Sequence, residues 1–496
     1  MASRKLLFAR TYEKDAGGKI TKEQRPKFHL SPYTGWTNDP NGFSYYNGEY
    51  HLFYQYNPYS TEWDSMHWGH AVSSDLLHWR YLPTALAPDE DYDSFGCFSG
   101  SASELPDGRQ LLIYTGVRKE HGNGEKDIQT QCIAVGDGLN YEKYFKNPVL
   151  DEKDLPEGKS RSDFRDPKIW KEDDGSYRCV TGCRSIDGKG SIIMFKSDDG
   201  FKWEFESVLI ENDGRFGMMW ECPDFFSLDG KQVLIVSPQD MLPERFEYHN
   251  GNGTLCLIGT YDKEKKQFTY EENQSVDYGI DFYAPQTVLT PDGRRVMIGW
   301  MQNWDTCSLI DRKNMQWFGQ MSLPRELRIK EGRLIQQPIR ELAAFRSNTA
   351  VYKDITVKGN AVLDNIKGRT IDMEITVRPK DQNNIYHKFA VRFAQNDQFR
   401  SSLSFRPNES ILKIDRKFSG SRRAYIHQRR CLVPDKNGEI KLRIILDRFS
   451  VEVFVNDGEQ VMTATILTDI SAEGISFFAE GEAVIDVTKY DLFAEE

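Results

Sequence analysis

Five Asn-Gly or Asp-Gly pairs punctuate the first 340 residues, and each is followed within a few residues by a strand-like run. They are Asn47-Gly48, Asp107-Gly108, Asp174-Gly175, Asp229-Gly230 and Asp292-Gly293, spaced 60, 67, 55 and 63 residues apart. Such pairs close β-hairpins, because both residue types tolerate the left-handed backbone of a tight turn. The runs behind them are Leu52-Phe53-Tyr54, Leu111-Leu112-Ile113, Cys179-Val180-Thr181, Val233-Leu234-Ile235 and Val296-Met297-Ile298. Weaker echoes at Ser74-Asp75, Asp137-Gly138 and Ser197-Asp198 read as outer hairpins of the same unit. A repeat of this length, made only of strands and turns, is a blade of a β-propeller. Five hairpins predict five blades.

A second regularity locates a site. Asp39, Ser99, Asp166, Glu221 and Ala284 each lie eight residues before their hairpin pair. Side chains alternate along a strand, so a constant even offset predicts equivalent depth and facing in every blade, absent a bulge. With these strands innermost, three carboxylates remote in sequence converge at one channel mouth. A wet channel alone accounts for polar inner strands. It does not account for three carboxylates set beside Trp, Arg, Asn and Gln.

The carboxylates stand in Trp36-Thr37-Asn38-Asp39-Pro40-Asn41-Gly42, Phe164-Arg165-Asp166-Pro167 and Trp220-Glu221-Cys222-Pro223-Asp224. An acid for an anomeric carbon, amides for hydroxyls and an indole for a ring suit sugar chemistry. Further segments are Trp68-Gly69-His70-Ala71-Val72-Ser73, Phe98-Ser99-Gly100-Ser101, Phe282-Tyr283-Ala284-Pro285-Gln286 and Val451-Glu452-Val453-Phe454-Val455-Asn456-Asp457-Gly458. In this order, from about Phe28 to the C-terminus, they resemble glycoside hydrolase family 32, the β-fructofuranosidases. Thr37 departs from the larger apolar residue that many members carry.

The resemblance implies a retaining glycosidase that needs no cofactor and no metal. By resemblance Asp39 is the nucleophile, Glu221 the general acid/base, and Asp166 with Arg165 grips fructose hydroxyls and stabilises the oxocarbenium-like transition state. It nominates Trp36, Asn38, Gln55, Trp63, Phe98, Ser99 and Trp300 as further pocket residues, each of which could instead simply pack or cap a strand. Local chemistry agrees with the division of labour: Trp220, Cys222 and Pro223 place apolar surface around Glu221, favouring a proton-carrying acid, while donors around Asp39 favour its ionised form. Arg165 is expected to keep Asp166 charged. The implied reaction releases terminal β-D-fructofuranose from sucrose and short fructo-oligosaccharides. Sucrose-6-phosphate hydrolysis, fructan exo-hydrolysis and fructosyl transfer are the alternatives. A non-catalytic sugar-binding propeller is the alternative from another class, and intact Asp39 and Glu221 argue against it.

A net charge of −11 disfavours nucleic acid and anionic membrane partners. A neutral sugar is indifferent to it, whereas a phosphorylated one needs a local basic pocket. After its basic pair the N-terminus offers only four consecutive apolar residues, too few for a signal-peptide core. Eight cysteines are scattered without a Cys-x-x-Cys pair, as expected of reduced thiols in a cytoplasmic protein. Homo-oligomerisation stays open.

Around Gln336–Leu342 the pattern changes to a connector read as a short helix. The expected division is a catalytic propeller over 1–340, a linker over 341–350 and a β-sandwich over 351–496. Strict alternation in Ile371–Arg378, in Phe389, Val391 and Phe393, and in Val451, Val453 and Val455 predicts strands with one buried face. This module is expected to support the fold or to oligomerise, with accessory sugar binding as its alternative.

Overall fold

Each of the five pairs closes the first hairpin of a sheet in the computed structural model, which describes residues 2–120, 126–422, 426–434 and 436–493. The five hairpins join Gly35–Tyr46 to Glu49–Asn57, Gly96–Glu104 to Gln110–Lys119, Lys159–Lys171 to Tyr177–Ser185, Trp220–Leu228 to Lys231–Pro238 and Tyr283–Leu289 to Arg295–Trp300. In each blade two more antiparallel strands follow in chain order, so the chain walks outward from the axis. A short strand, Trp317–Phe318, runs parallel to Gly35–Trp36 and joins the end of the propeller to its beginning. The protein is a five-bladed β-propeller followed by a β-sandwich, with few helices.

The turns take two forms, each set by local chemistry. Asn47-Gly48 and Asp229-Gly230 hold both residues at positive φ (49° and 83°, 45° and 80°), the two-residue hairpin turn. In the other three blades only the glycine is left-handed, in three-residue loops closed by Leu105–Arg109, Glu172–Ser176 and Thr290–Arg294. An added Cβ at any of the five glycines would meet nothing within 4 Å. Backbone conformation alone, not crowding, reserves these positions for glycine.

In the sandwich, the long strand Gly474–Leu492 serves both layers. Its first part pairs with Lys388–Gln395 and its second with Ile371–Pro379, the change falling at Gly481 with φ 96°. Phe389, Val391 and Phe393 from one layer face Met373, Ile375 and Val453 from the other in a single core. The alternating pattern holds in Ile371–Pro379 but not in Ser450–Val455, which is buried throughout. The reason is tertiary: Phe454 packs into the hydrophobic cluster of the first and fifth blades, with Phe28, Leu30 and Leu323.

That contact belongs to a buried ionic seam between the two modules. Glu452 accepts from Leu323 N (2.7 Å), His29 Nε2 (2.9 Å) and Arg325 Nε (3.0 Å). Asp447 accepts from the backbone of Lys27, Phe28 and His29 and from His29 Nδ1 at 2.9 Å. Nearby, Gly279 lies so close to the strand Gln460–Thr465 that a Cβ would stand 2.1 Å from Thr463 N. Burial alone would strip His29 of its proton, but the two carboxylates outweigh it and push the imidazole up to about 9. Its contribution to stability is therefore complete below its ordinary value of 6.5 and is lost as pH rises through about 9. Glu452→Ala leaves Arg325 and His29 each short of a buried partner. It should cost about 3–5 kcal/mol, read from urea denaturation.

Two short helical elements flank the propeller. The N-terminus forms a helix, Arg4–Gly17, capped by Ser3 and tied to the first blade through Glu13, whose carboxylate accepts from Thr84 N and Oγ1 at 2.7 Å. The helical connector is a 3₁₀ turn at Arg340–Phe345, because Gln336–Pro338 still completes the last strand of the fifth blade.

Candidate active site

A β-bulge interrupts the innermost strand of every blade, at the motif in each case. Regular pairing breaks between Thr37 and Pro40, Phe98 and Gly100, Arg165 and Lys168, Glu221 and Asp224, and Tyr283 and Gln286. The eight-residue offset therefore does not give equivalent positions. Glu221 is the last paired residue before its bulge, as Arg165 and Tyr283 are in theirs. Asp166 is the first residue of its bulge, matching Cys222 and Ala284, and Asp39 is the second. All three first-bulge residues are left-handed, with φ of 63°, 49° and 50°. Bulges re-aim side chains and free an amide. Here each freed amide reaches the preceding blade: Asp166 N to Thr115 Oγ1 (2.9 Å), Cys222 N to Asp166 Oδ2 (2.9 Å) and Ala284 N to Ser237 Oγ (3.1 Å). Three carboxylates from three blades meet because their bulges differ in phase.

They line one cavity of about 540 Å³. Asp39 accepts from Ser99 Oγ at 2.6 Å and from Asn38 Nδ2 at 3.1 Å. Asn38 is itself held by Trp36 Nε1 at 2.8 Å, and Ser99 by Gln55 Nε2 at 2.7 Å. The Cys222 thiol lies 3.6 Å from both Asp39 Oδ2 and Asp166 Oδ2. Glu221 is gripped at both oxygens, by Arg165 Nε and Nη2 (3.0 Å each) and by Tyr283 Oη (2.6 Å). Arg165 also meets Asp163 at 3.0 Å and Gln129 at 3.3 Å, and stands 4.0 Å from Asp166.

This geometry corrects the expected electrostatics. Glu221 is held by a guanidinium and a phenol rather than sunk in apolar surface. Burial pushes Asp39 up to about 6, its hydrogen bonds to Ser99 and Asn38 opposing and the Glu221 charge adding. Asp166 is raised as well, by burial first, since Arg165 is turned mainly toward Glu221 and only partly offsets it.

Of the sequence-nominated residues, Asn38, Asp39, Gln55, Trp63, Phe98, Arg165, Asp166 and Glu221 line the cavity. Gln55 Oε1 has no hydrogen-bond partner among the described residues. Trp63 meets Phe98 edge-on at 5.6 Å to form an aromatic wall. Trp36, Ser99 and Trp300 lie behind the cavity wall rather than in it. Trp36 and Ser99 position Asn38 and Asp39, and Trp300 packs 4.9 Å from Trp304. Trp304 takes the lining place instead, on a short helix, Trp304–Cys307, begun by Asn303. Asp127, Gln129, Asp163, Asp240 and Asn252 also line the cavity and escaped the sequence reading, because they sit outside the acidic motifs. Tyr283 was in view, in the fifth inner strand, and its equivalence to Arg165 at the bulge was the signal for its role.

Comparison with known proteins agrees with this geometry. Residues 29–338 match the glycosyl hydrolases family 32 N-terminal domain, and residues 341–492 the family 32 C-terminal domain. The chain is 36% identical to the raffinose invertase of Escherichia coli over 93% of both chains. It is equally identical, over the same shares, to an Escherichia coli sucrose-6-phosphate hydrolase. A Bombyx mori GH32 beta-fructofuranosidase mutant in complex with sucrose superposes with a TM-score of 0.84 at 33% identity, covering 99% of each chain. With two family models spanning nearly its whole length, and the three carboxylates of its motifs gathered in one cavity, the chain belongs to glycosyl hydrolase family 32.

Proposed function

We propose that this glycoside hydrolase releases terminal β-fructofuranose from sucrose and short fructo-oligosaccharides by double displacement. The observation that carries the reading is the meeting of Asp39, Asp166 and Glu221, from three blades, on one sugar-sized cavity. Asp39, oriented by Ser99 and Asn38, attacks the fructose anomeric carbon. Glu221, aimed by Arg165 and Tyr283, protonates the departing oxygen and then draws a proton from the water that releases fructose. Asp166, fixed by Cys222 N, faces the positive charge that develops on the ring. Gln55 holds the Ser99 hydroxyl that orients Asp39, and Trp63 and Phe98 give the sugar an apolar wall.

The propeller, residues 1–340, is the catalytic domain in this reading. The sandwich, 351–496, braces it through the Glu452 seam and is joined by 341–350. We place the enzyme in the cytoplasm, a reading supported by eight buried, unbridged thiols. Rates on sucrose, kestose, inulin and levan test the substrate. The first-formed fructose, followed by NMR, tests the mechanism. Retention with preference for the short substrates is expected; inversion rules out a covalent intermediate.

A further inference from the structure

The charge of the cavity chooses between substrates that its shape admits. Six carboxyl groups line it, Asp39, Asp127, Asp163, Asp166, Glu221 and Asp240, against one cationic side chain among the described residues, Arg165. That guanidinium is already engaged by Glu221 and Asp163. Even with one of the three inner carboxyls protonated, as acid catalysis requires, five carboxylates face Arg165, and the two cations paired with them from outside the lining, Lys119 on Asp127 and Arg184 on Asp163, still leave a net of two negative charges. Asp163 also steadies the Arg165 that aims Glu221, whereas Asp127 and Asp240 play no part in the proposed bond cleavage, so the chemistry does not explain their presence.

A second hollow adjoins this cavity at Ser162 and carries Lys126, Lys159, Arg161 and Arg184. It is a poor anchor for a phosphate. Arg184 pairs with Asp163 at 2.7 Å, Arg161 with Glu120 at 2.6 Å and Glu152 at 3.1 Å, and Lys159 with Glu211. Lys126 is exposed, where solvent and salt screen it most. Lys119, next to the Glu120 that lines the same hollow, pairs with Asp127 at 2.5 Å.

We propose that the acidic rim of Asp127, Asp163 and Asp240 is a specificity device that admits neutral fructosides and turns away phosphorylated ones. The proposal rests on the β-fructosidase reading above. It sets this chain apart in substrate from those of its relatives that are named sucrose-6-phosphate hydrolases. A sugar phosphate carries close to two negative charges at neutral pH, and a cleft lined by one sign of charge repels ligands of the same sign.

The test compares kcat/KM for sucrose and sucrose-6-phosphate at about 10 mM ionic strength, where charges act over roughly 30 Å. Sucrose should be preferred by about 30-fold or more, and the gap should narrow as salt is raised. The double variant Asp127→Asn/Asp240→Asn should move the ratio toward the phosphorylated substrate by about fivefold or more. Asn suits both sites: it keeps the shape, and at Asp240, with φ 58°, it tolerates the left-handed backbone. Equal or better use of sucrose-6-phosphate by the unmodified enzyme, or a ratio unmoved in the double variant, overturns the proposal. Cleavage of neither substrate would instead refute the hydrolytic reading. The rim is then judged by calorimetry on Glu221→Gln protein, where sucrose-6-phosphate should bind at least about tenfold more weakly than sucrose, and comparable affinities would refute it.

Discussion

Asp39→Asn is expected to lower turnover of every fructoside by about 10⁴-fold or more while making the folded protein more stable. The loss follows from the role proposed for Asp39: an amide in the nucleophile's place cannot form the glycosyl-enzyme intermediate, whatever the leaving group. The gain in stability follows from burial. Asp39 is raised from 3.8 to about 6, so above pH 6 the fold holds a carboxylate that is easier to ionise in the unfolded chain. That cost is full above the folded value, shrinks as pH falls through about 6, and is gone below 3.8. Removing the charge should therefore stabilise the protein by about 2–3 kcal/mol at pH 7, with little difference at pH 3.5. The amide is accommodated locally, because the Ser99 hydroxyl can turn from donor to acceptor. Urea denaturation at the two pH values, alongside kinetics, reads both halves. The acid limb of kcat/KM in the unmodified enzyme should fall near pH 6, where Asp39 takes up its proton. Near-normal activity of Asp39→Asn would remove that residue from the mechanism.

Glu221→Gln should lose rate in proportion to how badly the leaving group needs a proton. On sucrose, whose leaving group is a poor one, a fall of about 10³-fold or more is expected. On an aryl fructoside with a nitrophenolate leaving group, the first step should fall by less than about tenfold, because that oxygen departs unassisted. The second step still lacks its base. A burst of nitrophenolate followed by slow turnover is therefore the expected trace in rapid-mixing measurements, and it would show the covalent intermediate accumulating. The substitution leaves geometry nearly intact, since Gln can still accept from Arg165 and can turn its amide toward Tyr283. An equal loss on both substrates would mean that Glu221 positions the sugar rather than transferring the proton.

The bulges explain why one motif offset could find the site and still misstate its construction. Asp39, Asp166 and Glu221 share a distance to their turns, yet occupy three successive phases of the bulge. A bulge is a property of two strands in register, and one strand's residues carry only its hint. The Asp-Pro and Cys-Pro steps are such hints, because proline has no amide to give a ladder. Arg165 shows the same limit for charge: its neighbour in sequence is Asp166, but its partners in space are Glu221 and Asp163.

What the sequence determined by itself is what local chemistry enforces. Asn-Gly and Asp-Gly demand left-handed turns wherever they fall, so blade number, strand order and the three acidic positions were legible residue by residue. Period-two alternation likewise disclosed the sandwich. Tertiary structure alone decided which face a residue meets. It buried Trp36, Ser99 and Trp300 behind the wall and brought Trp304 into it. It turned Glu452 into the clasp between the two modules and left Asp127, Asp163 and Asp240 around the mouth. The physical reason is range: a turn is fixed by the dihedrals of two residues, whereas burial, pairing and the raised acidity constant of Asp39 depend on groups brought close only when five blades close into a ring.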